Sequence, residues 1–253
     1  MYTGIRNFIV VGILTFASAV FGITAPTAAH VDPTSGTQQG IRASAPFATK
    51  AAQVASARKM LKSLKNTSYS NLDYDRDAQF GNGWTDVDDN NCETRDDILK
   101  RDLTNETFDD RCVVRSGILK DPYTGKKINF LRGVSTSRKV QIDHIIPLHL
   151  AWQLGASKWS QGKRVAFAND PVNLIATDGP TNGSKSDSGP EEWLPPQKSY
   201  RCTYVIRFIR IAYLYKVGVT SASRAAMTSV LNTCKSVVGN PATMSPLPPS
   251  LWR

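Results

Sequence analysis

Apolar residues recur at helical spacing in some parts of the chain and in short extended runs in others. The helical spacing predicts helices over residues 49–65, 94–103, 147–153, 163–168, 200–215 and 221–235. The extended runs predict strands over residues 127–132, 138–142 and 172–176, and the turn sequence DPYTG at 121–125 separates two further extended segments. Several helices around a few short strands, without an internal repeat, predict an α+β fold.

The amino terminus has the pattern of a signal peptide. One cation, Arg6, precedes an apolar run over residues 8–23, and small residues at 27–29 suit cleavage by signal peptidase. A transmembrane anchor is the alternative, but Gly12 and Gly22 interrupt a run that is already near the lower limit of roughly 17 to 25 residues for spanning a bilayer. We therefore expect residues 1–29 to be removed and the mature protein to be secreted.

The rest of the chain predicts a single domain between two polar ends. Residues 30–46 are rich in Ser, Thr, Gly, Ala and Pro and predict a disordered leader. The domain is expected over 47–240, followed by a tail over 241–253. No segment after the signal peptide is apolar enough to span a membrane, so we expect no stable membrane insertion after cleavage. Release from the cell envelope and the oligomeric state stay open.

The chain is strongly basic, with 31 Lys and Arg against 21 Asp and Glu, a net charge of +10. Cleavage after residue 29 removes only the charge of Arg6 and leaves +9. In an exported protein this charge favours a polyanionic partner, because phosphates are bound largely by electrostatic attraction and counterion release. Solubility alone is the alternative explanation of the charge.

Four cysteines, an even number, are typical of two disulfides in a chain that leaves the reducing cytosol. Four cysteines allow three pairings, and nearness in sequence favours Cys92 with Cys112 and Cys202 with Cys234. A zinc site is the competing interpretation, but the chain has neither CxxC nor CxxH spacing.

Few side chains in the chain are able to act as a base near neutral pH. Of the three histidines, His30 lies at the expected cleavage point, which leaves His144 and His149. Asp143 and His144 are adjacent at the end of an extended run, so their side chains point to opposite sides of the strand, toward a metal and toward an attacking water respectively. A structural Asp–His hydrogen bond is the alternative. A zinc peptidase is disfavoured because the two histidines are five apart, with Pro147 between them, and no HExxH motif occurs.

Three motifs carry a resemblance to a known family. They are DHIIPLHLAWQLGASKW at 143–159, FANDPVNLIATDG at 167–179 and TNGSKSDSGPEEWLPP at 181–196. Together with the DPYTG turn, these motifs resemble the HNH (His-Me finger) nuclease domain at the C-terminus of GmrSD-type restriction endonucleases and in exported actinobacterial endonucleases. The resemblance covers about residues 74–235.

The resemblance implies a ββα-metal centre embedded among helices and held by the disulfides. In that centre Asp143 matches a metal-binding acid, His144 the general base and Asn173 the residue that fixes the loop behind the histidine. Asn182 matches the second metal ligand, a position that is histidine in some relatives. The implied cofactor is one divalent cation, Mg²⁺ first and Mn²⁺ or Ca²⁺ as alternatives, since carboxylate and amide oxygens suit hard cations.

The implied activity is hydrolysis of phosphodiester bonds in DNA, with RNA as a second substrate, leaving 5′-phosphate ends. Lys185 is a candidate catalytic and substrate-binding residue at a phosphate, and Arg95 is a further phosphate contact; a surface cation and a structural salt bridge are their respective alternatives. Two other readings stay open, a catalytically silent polyanion-binding protein and a toxin nuclease that acts on competing bacteria.

Overall fold

The structure is a computed structural model that describes residues 50–109 and 112–234, together with Leu247 and Ser250. The expected signal peptide and leader lie outside the described residues, as does most of the expected tail. Within the described ranges no helix has both the length and the apolar character needed to cross a bilayer.

The described residues form an α+β fold, as the sequence predicted. The helices are α1 (Lys50–Ser63), α2 (Arg76–Phe80), α3 (Thr94–Asp102), α4 (Leu148–Gln153), α5 (Gln161–Asn169), α6 (Gly179–Lys185), α7 (Arg201–Tyr215) and α8 (Ser221–Thr233). The strands are β1 (Leu103–Phe108), β2 (Val114–Lys120), β3 (Lys127–Leu131), β4 (Val140–His144) and β5 (Leu174–Asp178).

The strands form two separate antiparallel sheets. In the first sheet β2 lies between β1 and β3. The second contains β4 and β5, in a register that places Val140 opposite Asp178 and His144 opposite Leu174. The second sheet therefore brings the end of the predicted Asp-His strand beside the start of β5, although a long helical segment separates them in sequence.

Two hydrophobic clusters pack on the two sides of β4 and β5. The larger one surrounds α7, most of whose residues are buried, and includes Ile145 and Ile175. The smaller one lies against the three-stranded sheet and includes Ile142, Leu174 and Ala176. Because successive side chains of a strand point to opposite faces, β5 contributes to both clusters, whereas the buried apolar side chains of β4, Val140 and Ile142, belong to the smaller one. Burial on both faces of β5 holds the β4–β5 pair in one orientation.

Most of the predicted elements are present, and the differences have local causes. The six predicted helices correspond to α1, α3, α4, α5, α7 and α8. Strands β4 and β5 each begin two residues later than predicted, because residues 138 and 139 belong to a 3₁₀ turn and Asn173 packs its side chain in the interior. The apolar pattern did not predict β1, α2 or α6, which are short and largely polar. The ββα centre that the resemblance implied does include a short helix at Asn182, and α6 lies there.

Both expected disulfides are present, Cys92–Cys112 and Cys202–Cys234. The first joins the loop before α3 to the connection between β1 and β2, and the second joins the start of α7 to the end of α8. Nearness in sequence therefore predicted the correct pairing.

Helix α6 follows β5 without an intervening loop. Asp178, the last residue of β5, caps the helix by accepting a hydrogen bond from the backbone N–H of Thr181 at 3.0 Å. Gly179 begins the helix so close to the preceding 3₁₀ turn that a Cβ there would lie 2.1 Å from the carbonyl oxygen of Arg138. The start of α6 therefore needs a residue without a side chain.

We expect Gly179→Ala to lower the free energy of unfolding by about 1–3 kcal/mol, since the added methyl meets backbone that has little room to move. Gly183→Ala, in the same helix, is the matched control, because a Cβ there has nothing within 4 Å. Alanine also has the higher helix propensity, so Gly183→Ala should leave stability unchanged or raise it by about 0.5–1 kcal/mol. Urea unfolding of both variants measures the difference, and equal stabilities would contradict the close approach at Gly179.

Candidate functional site

Strands β4 and β5 and helix α6 bring Asp143, His144 and Asn182 to one place. Asp143 and His144 end β4, and Asn182 lies in the second turn of α6. The amide nitrogen of Asn182 donates to Oε1 of Gln141 at 2.9 Å. Gln141 is two residues before Asp143 and therefore shares its face of β4. This contact sets Asn182 beside the acidic residue and turns its amide oxygen away from Gln141.

Asn173 fastens the segment that follows His144. Its side chain is fully buried, and its Oδ1 accepts from the backbone N–H of Ile146 at 3.0 Å. Its carbonyl oxygen accepts from the N–H of Ile145 at 2.7 Å. The amide nitrogen donates to the carbonyl oxygens of Ile146 and Phe167 at 3.4 and 3.5 Å. One asparagine thus fixes the backbone directly after the histidine.

The carboxylate of Asp143 is buried between two donors. Oδ1 accepts from the ammonium of Lys185 at 3.0 Å, and Oδ2 accepts from the hydroxyl of Tyr123 at 2.6 Å. Burial raises the pKa of Asp143 above its ordinary value, while the ammonium and the hydroxyl act in the opposite direction. Lys185 also donates to the carbonyl oxygen of His144 at 2.8 Å, so it holds both residues of the Asp-His pair.

Tyr123 reaches Asp143 from the turn between β2 and β3. The buried carboxylate of Asp121 organises this turn by accepting from the backbone N–H of Thr124 at 2.9 Å. The same carboxylate accepts from the hydroxyl of Thr177 at 2.7 Å and from the N–H of Asp178 at 3.2 Å. The turn is therefore attached to the end of β5, which keeps the hydroxyl of Tyr123 at the carboxylate.

His144 is half-buried, with one ring nitrogen held. Its Nε2 lies 2.8 Å from the carbonyl oxygen of Ala168. Its ring stacks on that of Trp84, with 5.8 Å between the centroids and 12° between the planes. Burial lowers the pKa of His144 from 6.5 to about 3, and the charges of Arg76 and Lys185 act in the same direction. The imidazole is therefore neutral at neutral pH.

A cavity of about 280 Å³ opens at this centre. Its lining residues come from three stretches of the chain: Tyr74, Arg76, Ile142, Asp143, His144, Pro147, Leu148, His149, Asn182, Ser186 and Asp187. On one wall the ring of His149 stacks on Tyr74, with 4.6 Å between the centroids. His149 Nδ1 lies 3.0 Å from Oδ2 of Asp187. Asp143, His144 and Asn182 thus share one solvent-connected space.

The donors of this cavity fit one hard divalent cation. Asp143 offers a carboxylate, and each of its oxygens has a second lone pair besides the one used by Lys185 or Tyr123. Asn182 offers an amide oxygen. Among the described residues no group of three or more His, Cys, Asp or Glu side chains is placed to hold a metal. Such a sparse oxygen set suits a cation that keeps several waters, as Mg²⁺ does.

Two predicted substrate contacts lie elsewhere in the structure. The side chain of Lys185 is fully buried, and its ammonium forms an ion pair with Asp143. The expectation that this ammonium faces a phosphate is therefore corrected, because the ion pair holds it in the interior. Arg95 lies outside the cavity lining, and its guanidinium donates to the carbonyl oxygen of Val140 at 3.4 Å. Among the described residues Arg95 forms no ion pair, so this position shows neither the phosphate contact nor the alternative salt bridge.

Four residues near the site were not among the predicted ones. Three of them contact a site residue, namely Tyr123, Gln141 and Trp84, and Arg76 lines the cavity. Gln141 was accessible to sequence reasoning, because a residue two positions before Asp143 on a strand shares its face. The DPYTG motif marked Tyr123 as part of a turn, but no spacing rule connects that turn to β4. Trp84 and Arg76 lie in a stretch without periodicity, which gave no signal.

Comparisons with known proteins show which sequences this chain is similar to. Residues 93–230 match the family described as GmrSD restriction endonucleases, C-terminal domain. A protein of Arthroderma benhamiae with the description "Uncharacterized secreted protein" is 43% identical over 145 residues, which cover 56% of this chain and 68% of that protein. No solved structure matches the chain.

We expect Lys185→Met to lower the free energy of unfolding by about 3–5 kcal/mol, because it leaves the carboxylate of Asp143 buried without its cation. Lys126→Met removes an exposed lysine and should change stability by less than about 0.5 kcal/mol. The double variant Asp143→Asn/Lys185→Met should regain part of the loss. Urea unfolding in EDTA measures all three; a Lys185→Met protein as stable as Lys126→Met would contradict the ion pair.

Proposed function

Because the chain belongs to the family of C-terminal domains of GmrSD restriction endonucleases, we propose that it is a secreted, divalent-cation-dependent endonuclease that hydrolyses phosphodiester bonds of DNA. RNA is the second candidate substrate. Membership in this family gives the protein a nuclease-related role. The residues of the cavity support the finer assignment of base, ligands and substrate.

The position of His144 is the observation that carries the proposal. A carbonyl oxygen only accepts hydrogen bonds, so the contact with Ala168 assigns the ring proton to Nε2. Nδ1 then keeps its lone pair and is available as an acceptor. Burial lowers the pKa of His144, so the ring is neutral before the reaction and the lone pair of Nδ1 is free. A neutral imidazole lining a cavity beside an acid is the arrangement a general base requires.

The proposed reaction uses water as the nucleophile. Nδ1 of His144 takes a proton from the water while the water oxygen forms a bond to phosphorus. The bond from phosphorus to the 3′ oxygen breaks, a proton from solvent completes the 3′ hydroxyl, and the phosphate stays on the 5′ side. The carbonyl oxygen of Ala168 stabilises the imidazolium that forms, because the Nε2–H bond strengthens when the ring becomes charged.

Asp143 and Asn182 are the proposed ligands of one cation, Mg²⁺ first and Mn²⁺ or Ca²⁺ as alternatives. When bound, this cation supplies neutralisation of the phosphate charge and stabilisation of the leaving oxygen. Tyr123 and Lys185 keep the carboxylate of Asp143 in one orientation, and Gln141 does the same for the amide of Asn182. The ligands are thus held before the substrate arrives, which lowers the cost of organising the site.

The charge and the expected export fit this role. The net charge of +10 favours a polyanionic substrate, and the relative described as secreted agrees with the expected signal peptide. The alternative is a protein that binds nucleic acid without cleaving it, and a cleavage assay distinguishes the two. A toxin role shares the same chemistry.

We expect His144→Ala to lower plasmid cleavage by at least about 100-fold, since general base catalysis typically contributes 10²–10⁴-fold. Purified, oxidised protein is incubated with supercoiled plasmid and Mg²⁺, and nicked and linear products are followed on gels. Circular dichroism and DNA binding of the variant serve as controls for folding and should stay close to wild type. Equal cleavage by the variant would remove the assignment of the base, and DNA binding without cleavage by the wild type under any divalent cation would support the silent reading.

Removal of the cation should stop the reaction, so EDTA is expected to abolish cleavage and Mg²⁺ to restore it. Asn182→Ala removes one proposed ligand, and we expect the Mg²⁺ concentration for half-maximal activity to rise at least about tenfold. Asn182→Asp keeps an oxygen donor and is the matched variant, for which the rise should be smaller. Unchanged Mg²⁺ dependence in Asn182→Ala would show that the amide is not a ligand.

A further inference from the structure

Part of the cavity wall comes from chain that precedes the matched family domain. The family match begins at residue 93, whereas Tyr74 and Arg76 line the cavity and Trp84 stacks on His144. This earlier chain, residues 74–84, is called here the upstream wall. The cavity of this protein is therefore enclosed in part by residues that precede the matched range.

The upstream wall is fixed firmly to the helices behind the cavity. Phe80 is buried, and its ring lies 6.5 Å from that of Trp152 and 6.4 Å from that of Phe167. The guanidinium of Arg164 donates to the carbonyl oxygen of Gln79 at 2.7 Å. These contacts anchor α2, and with it the position of Arg76 at the cavity.

Arg76 is an exposed cation at the cavity without a protein partner for its charge. Among the described residues no carboxylate lies within ion-pair distance of its guanidinium. The adjacent Asp75 is used as the cap of α2 and accepts from the N–H of Ala78 at 2.9 Å. Asp187, another carboxylate that lines the cavity, is engaged by His149 at 3.0 Å. The charge of Arg76 nevertheless reaches His144, since it contributes to the lowered pKa of that ring.

We propose that Arg76 binds a phosphate of the nucleic acid at the catalytic cavity, so that the upstream wall supplies this part of the substrate contact. The proposal rests on the proposed function. A guanidinium presents several N–H donors in a planar fork that matches phosphate oxygens. The volume of about 280 Å³ lies below the roughly 300–1,000 Å³ of pockets that enclose drug-sized ligands, and suits a single phosphodiester.

DNA binding in the His144→Ala background tests this contact without cleavage. The probe is a short fluorescent duplex, titrated between about 50 and 200 mM salt. Replacing Arg76 by Gln should weaken binding about tenfold and reduce the slope of log K against log salt by about 0.9, the value for one lost phosphate contact. Arg76→Lys keeps the charge and should keep the slope. Lys59→Gln removes an exposed charge on α1 and should leave both quantities at the level of the background.

Cleavage by otherwise wild-type protein separates this inference from the proposed function. We expect Arg76→Gln to lower kcat/KM about tenfold, mainly through KM, while thermal unfolding stays unchanged because the side chain is exposed. A wild type that cuts DNA, together with an Arg76→Gln variant that binds and cuts equally well, overturns the role of Arg76 and leaves the nuclease intact. A wild type that binds DNA through Arg76 but never cuts it supports the phosphate contact and overturns the nuclease.

Discussion

The buried carboxylate of Asp143 joins three parts of the chain that are distant in sequence. Tyr123 reaches it from the turn of the three-stranded sheet, Lys185 from the end of α6, and Asp143 itself ends β4. A buried charge without partners is costly, so the fold is stable only when all three parts are in place. The same contacts that satisfy this charge also set the distance between the Asp-His pair and Asn182. The packing of these three parts and the geometry of the candidate site thus share one ion pair and one hydroxyl.

The sequence singled out side chains that the structure places near one another. Asp143, His144 and Asn182 line one cavity and Asn173 holds the backbone after His144, because a strand, its partner and the following helix are local elements with recognisable motifs. The helices around α7 followed from apolar periodicity for the same reason. The pairing of the disulfides followed from nearness along the chain.

What the sequence did not predict depends on long-range packing. The contact of Tyr123 with Asp143 links residues in different sheets, and no periodicity encodes it. Lys185 is a long cation in a polar segment, so a surface position was the natural expectation; only the buried carboxylate explains why its ammonium points inward. Arg76 and Trp84 come from a segment of Asp, Gly and Asn whose course is set by its packing on α4 and α5.

Two consecutive segments connect β4 to Asn182, and they differ in how readily they accommodate inserted or deleted residues. Between His144 and Leu174 the chain makes a long helical excursion that returns to the same register, so relatives are free to lengthen or shorten it while keeping the strand pair. From Leu174 to Asn182 no loop is present that could change in length, since Asp178 is both the end of the strand and the cap of the helix. A single inserted residue there would rotate Asn182 by about 100° around the helix axis, following from 3.6 residues per turn. Insertions and deletions among relatives should accordingly accumulate before β5 and be absent between β5 and α6.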